Sequence, residues 1–144
     1  MQQNIILIPA FLMVLLTSIV WLWMIVVRIQ AMKTVKLHPE KMKSQAAKTM
    51  LPEEANIPAE NFANQFEVPV LFYALIAFIY ITESVSNAYL IGLFLYVALR
   101  LLHSFIALTY NRVIHRFISY LLSCLILWGL WIGFTFETLW VLIA

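Results

Sequence analysis

Seven residues of this sequence could do chemistry where polar groups are expensive: Arg28, Asn64, Glu67, Arg100, His103, Arg116 and Tyr120. Each lies within or at the end of a long apolar stretch. Ionisable groups in such stretches face a bundle interior or a polar cavity. Asn64 and Glu67 are three positions apart, as are Arg100 and His103; Arg116 and Tyr120 are four apart. On a helix each pair shares one face. Glu67 and Arg100 suit a buried ion pair, a structural tie before a catalytic one. Arg28 and Arg116 then have no acid, and with Arg100 and Glu67 the cluster sums to about +2. Guanidinium forks grip carboxylates, so this surplus suits a small polar anion held between helices. Taken singly, the residues have plainer readings. Arg28 and Arg116 could snorkel to lipid phosphates. His103 could tie two helices, and Tyr120 could anchor at the interface. Their common depth, argued below, favours a ligand.

The elements that carry these residues follow from composition. Of 144 residues, 64% are hydrophobic and 11% charged, and the mean hydropathy is +0.93. An ordinary soluble domain is roughly 25% charged, and a chain this short has too little interior to hide so much apolar surface. A disordered chain, a secreted disulfide scaffold and a soluble α/β enzyme are excluded. A helix crosses a bilayer with about 20 apolar residues. The stretches Ile5 to Val27 and Phe117 to Phe136 carry no charge. Val68 to Thr82 is short and is extended backwards through Glu67 and Phe62, and Ala88 to Tyr110 holds Arg100 and His103. The expected architecture is all-α, an integral membrane four-helix bundle in a single domain over 1–144, with spans at about 4–30, 59–82, 87–111 and 115–138. The first span has no basic residue before it and no small-residue cleavage site after it, which argues against a cleaved signal peptide.

Lysine and arginine set the orientation. Between the first two spans lie Lys33, Lys36, Lys41, Lys43 and Lys48, and between the last two lie Arg112, His115 and Arg116. The connection Glu83 to Asn87 and both termini carry no basic residue. The positive-inside rule then places both termini outside and the basic connections in the cytoplasm. With that orientation all seven polar residues fall at one level, toward the cytoplasmic face. Lys41 to Met50 reads as a short interfacial helix or, more plainly, as a tether whose lysines only fix topology. Pro58 suits the first turn of the second helix.

Other chemistry is not signalled. Cys124 stands alone, so no intrachain disulfide can form, and it reads as an apolar filler. His38, His103 and His115 lack metal-ligand spacing, and no metal or nucleic-acid partner is expected. Trp21, Trp23, Trp128, Trp131 and Trp140 read as packing and interface belts.

The stretch Asn61-Phe62-Ala63-Asn64-Gln65-Phe66-Glu67-Val68-Pro69 resembles the second-helix signature, Asn-x-x-Glu followed by an apolar run, of the membrane-associated proteins in eicosanoid and glutathione metabolism, the MAPEG family. Arg100-Leu101-Leu102-His103 resembles the family's Arg-x-x-His. Arg116 stands where the family's synthases carry the arginine that activates the glutathione thiol, and Tyr120 follows one turn on. Arg28 matches a first-helix arginine. The resemblance implies a divergent bacterial member in the inner membrane. It further implies a homotrimer, with glutathione sites between subunits near the cytoplasmic side. Arg116 would be catalytic, Arg28, Asn64, Glu67, His103 and Tyr120 would bind glutathione, and Arg100 would be structural. Glu60, Phe62, Ala63 and Ala107 depart from the family's ligand-holding pattern.

Three functions compete. The first is a glutathione transferase or peroxidase acting on lipophilic electrophiles that enter from membrane lipid. The second is a non-catalytic homologue that binds a lipid or an anionic metabolite. The third is a structural or partner-binding membrane subunit. A transporter is set aside, because the polar residues lie at one level and no broken helix is expected.

Overall fold

The computed structural model describes residues 3–36, 38, 40 and 50–143. Apart from Met50, the expected interfacial helix over 41–50 lies outside the described residues. A 3-10 turn, Gln3–Ile6, leads into α1 (Leu7–Thr34); α2 (Glu53–Ala63), α3 (Pro69–Ile81), α4 (Asn87–Leu108) and α5 (Val113–Ile143) follow. Three stretches are long and apolar enough to cross a membrane, Gln3–Thr34, Asn87–Leu108 and Val113–Val141, with mean hydropathies of 2.7, 1.9 and 2.0. The fourth apolar helix, α3, is shorter.

The single helix expected over 59–82 is divided. α2 stops at Ala63, the chain turns through Asn64 to Val68, and α3 opens at Pro69. Proline explains the break. In a continuous helix the Pro69 ring would collide with the Gln65 carbonyl and leave it without a donor. At the first position of a new helix the same ring is tolerated. Asn64 and Glu67 therefore sit in a turn and not on a helical face. The absence of a broken helix, one ground for setting transport aside, does not hold; the single level of the polar residues is the other. Nor does Pro58 open the second span. α2 begins at Glu53, behind Pro52 in extended conformation, and Pro58 lies inside it. Glu53 and Glu54 fill the first turn, where negative charge meets the positive end of the helix.

α4 and α5 pack along one another as an antiparallel hairpin. At Gly92 of α4 a Cβ would stand 2.6 Å from Leu130 Cδ2 of α5. α1 lies against α2 through Ala31, Leu51 and Ala55. The main core gathers Met13, Leu16 and Val20 of α1, Phe72 and Leu75 of α3, Leu93 and Tyr96 of α4, and Leu127 of α5. Phe72 stacks on Tyr96 with ring centroids 4.6 Å apart. At the end away from the polar cluster, the Tyr89 hydroxyl donates to Glu137 at 2.5 Å, and Gln3 donates to the Tyr80 carbonyl. Outside the core, Phe11, Leu15, Trp21, Ile91, Phe105, Ile114, Trp128 and Trp140 are exposed. Continuous apolar surface of that kind is rare on soluble monomers and is solvated by lipid tails. The protein is an integral membrane helical bundle.

Candidate functional site

A cavity of about 230 Å³ opens beside the break in the second span, lined by Asn64, Glu67, His103, Val113, Arg116, Phe117 and Tyr120. Three elements build it. The turn supplies Asn64 and Glu67, α4 supplies His103, and α5 supplies the rest. Val113, Arg116, Phe117 and Tyr120 follow the spacing i, i+3, i+4, i+7, so one face of the first turns of α5 forms a wall. Of the residues expected in the site, Asn64, Glu67, His103, Arg116 and Tyr120 are brought together. Arg28, half-buried on α1, does not line this cavity.

The polar groups hold one another in place. His103 is 3% exposed, and its Nδ1 lies 3.0 Å from the Arg116 carbonyl. A carbonyl only accepts, so Nδ1 carries the proton and Nε2 is an acceptor. Nε2 is buried and makes no hydrogen bond. The Arg116 guanidinium donates through Nη1 to Asn111 Oδ1 at 3.1 Å. Asn111, at φ 43°, takes the left-handed conformation that closes the turn between α4 and α5; asparagine tolerates this better than most residues. His103 and Tyr120 rings lie 5.8 Å apart.

Arg100 sits behind the cavity, 0% exposed. Its Nη2 donates to the Asn64 carbonyl at 2.6 Å, and its guanidinium carbon lies 5.6 Å from the centre of the Tyr120 ring. Nε and Nη1 make no hydrogen bond. The expected ion pair with Glu67 is not formed. The break at Pro69 carries Glu67 to the surface, where it is exposed. Arg100 instead serves one of the carbonyls that the end of α2 leaves without a helical donor.

A second polar group was not signalled as such by the sequence. Asn61, Gln65 and Ser104 are each buried to within 2% exposure. Gln65 Nε2 donates to the Asn61 carbonyl at 3.3 Å and to Ser104 Oγ at 3.2 Å. Ser104 Oγ donates to Asn61 Oδ1 at 3.2 Å. These bonds latch the end of α2 to α4 and so fix the turn that carries Asn64 and Glu67. The available signal was spacing: Asn61 and Gln65 are four apart, and Ser104 stands four after Arg100. Glu60 and Ala63 are exposed on α2 and do not line the cavity. Phe62 packs against the core, edge-on to Phe66 at 5.0 Å.

The sequence model of the MAPEG family matches residues 6–136. The chain belongs to the MAPEG family. No curated protein and no solved structure matches it. Membership accounts for a membrane-embedded helical bundle. In this MAPEG chain the cavity is built by a proline-broken second span, an α4 histidine and the first turns of α5. Cys124, buried one turn beyond Tyr120, lies outside the cavity lining.

Proposed function

We propose that this MAPEG protein binds glutathione in the cavity and joins it to lipophilic electrophiles, or uses it to reduce lipid peroxides. One observation carries the reading: an anion, a cation, an imidazole and a phenol converge on one cavity within the helical bundle. Glutathione brings an ammonium, two carboxylates and a thiol. Glu67 suits the ammonium. Arg116 suits a carboxylate or the thiolate. The Tyr120 hydroxyl offers a donor. A single chain supplies one arginine to the cavity for two carboxylates, so the fit is partial. Arg28 from a neighbouring copy completes it in the trimer that the family resemblance implies.

In this mechanism Arg116 favours the thiolate, as a cation beside a thiol does, and the thiol proton leaves to water. The sulfur then bonds to the electrophilic carbon, and the leaving group departs with the bonding pair. Tyr120 stands one helical turn from Arg116 and can donate to the sulfur. The membrane face of the cavity admits the apolar substrate. Phe62 in the core and Ala63 at the surface favour a second reading, in which the protein binds a lipid or an anionic metabolite without catalysis. The deciding experiment is equilibrium binding of glutathione to purified protein, followed by turnover with a generic electrophile. Binding and turnover support the first reading. No binding at cellular glutathione concentrations removes it and leaves the second.

A further inference from the structure

The opposite face of the α4–α5 hairpin carries a groove that the glutathione reading does not use. It encloses about 280 Å³ between Leu99, Leu102 and Ile106 of α4 and Ile118, Ser119 and Leu122 of α5, and Tyr110 and His115 close one end. The closed end is where the hairpin turns, at the membrane surface. The open end runs toward the bilayer middle. From Leu99 to Ile106 the α4 wall is about 10 Å long at the rise of a helix, the length of part of an acyl chain. The Tyr110 hydroxyl and His115 Nδ1 are 3.2 Å apart, and both residues are exposed. Exposed Arg112 lies between them in sequence. Between Glu83 and Glu137 there is no acidic residue, while Arg100, Arg112 and Arg116 all fall in that stretch.

We propose that this groove is a binding site for one anionic phospholipid. An acyl chain lies along the leucine and isoleucine walls, and the phosphate meets Arg112, His115 and Tyr110 at the hairpin turn. Shape supports the chain, because the walls are apolar and the polar groups gather at one end. Charge supports an anionic headgroup, because exposed Arg112, outside the lining itself, belongs to the turn that joins Tyr110 to His115 and has no acid near it in sequence. A zwitterionic lipid offers the same chain but adds a cation that this end does not favour.

Native mass spectrometry of the purified protein tests the site, with phosphatidylglycerol or phosphatidylcholine of matched chains added to delipidated protein. Phosphatidylglycerol is expected to be retained about tenfold more tightly, the ratio that 1.4 kcal/mol gives. The double variant Arg112→Gln/His115→Gln should remove that preference by weakening phosphatidylglycerol far more than phosphatidylcholine. Leu102→Trp fills the groove from a lipid-facing position and should weaken both. Equal retention of the two lipids by the wild type overturns the proposal, as does an unchanged preference in the double variant. Displacement of the lipid by millimolar inorganic phosphate would make this a phosphate site and not a lipid site. Leu102→Cys on a Cys124→Ala background adds a further arm. Disulfide cross-linking between copies in native membranes would place a second chain in the groove and overturn the lipid assignment.

Discussion

Arg116 and Arg100 are both arginines in the bundle, yet they do opposite things. Arg116 is half-buried at the cavity wall, tied to Asn111, with its charge directed at whatever fills the space. Arg100 is sealed behind it and holds a backbone carbonyl. Arg116→Ala should abolish any transferase rate while melting temperature and oligomer size stay as in the wild type, because the side chain acts on a thiolate and not on packing. A full rate in that variant would move the activating role elsewhere, with Tyr120 next in line. Arg100 carries a different expectation. Had it paired with Glu67, removing either partner would cost about 3–5 kcal/mol and the two losses would be strongly coupled. Glu67 is instead exposed. Glu67→Gln and Arg100→Met should therefore add within about 0.5 kcal/mol in thermal unfolding. A coupling well above that would restore the ion pair. Five of the residues lining the cavity were legible in the sequence, since a polar or charged residue in an apolar stretch announces itself. The partner of Arg100 was not. A backbone carbonyl has no sequence signature, and it became the partner only because the helix ends at that point.

The second span shows what sequence periodicity misses. Its apolar pattern continues through Phe62, Phe66 and Val70, so it reads as one helix, yet Pro69 removes a donor and blocks the Gln65 carbonyl. The Asn64 carbonyl is taken up by Arg100 and the Asn61 carbonyl by Gln65, which Ser104 holds in turn. The break thus depends on polar side chains buried for that purpose. Asn61→Leu should destabilise the bundle by about 1–3 kcal/mol, the cost of stranding buried polar partners, and should also weaken any ligand held by Asn64 and Glu67. Stability lost with binding unchanged would show that the latch does not position the turn. The hairpin offers a second test at the level of elements. A Cβ at Gly92 meets Leu130 at 2.6 Å, whereas one at Gly129 meets nothing within 4 Å. Gly92→Val should cost about 1–3 kcal/mol as an overpacked contact. Gly129→Ala is the control and should not lower the melting temperature, since a helix-interior alanine with free space is favoured over glycine. The three long apolar helices and the shorter fourth were legible in their order, because lipid demands long apolar runs. The break was not, because proline at a first helical position and proline inside a helix look alike in sequence, as Pro58 and Pro69 illustrate.

At the scale of the whole molecule, one chain makes an incomplete anion site. The cavity holds one arginine and one glutamate, so its formal charges cancel before a ligand with two carboxylates arrives. Arg28 stands away from it on α1, half-buried, with Nε unpartnered. Much of α1 and α5 is exposed and apolar on either side, a surface that lipid or another copy of the chain can cover. A trimer in which α1 of one copy faces the cavity of the next would supply the missing cation. Native mass spectrometry in mild detergent should then show trimers, and monomers alone would end the argument. Charge complementation probes the geometry directly. Arg28→Ala should weaken glutathione by about tenfold, the loss of a charge-assisted bond, and Arg116→Ala should remove turnover, each without dispersing the oligomer. If a site takes Arg116 from one chain and Arg28 from its neighbour, co-expressing the two variants places an Arg28→Ala chain, with its intact Arg116, beside an Arg116→Ala chain, with its intact Arg28. That pairing contains a complete site, so at glutathione concentrations that leave the Arg28→Ala site largely empty, mixed oligomers should exceed the summed activity of the two variants. Sites built within one chain cannot recover this way, because every cavity would still lack one of the two arginines. Activity that stays additive on mixing would therefore place both arginines on one subunit.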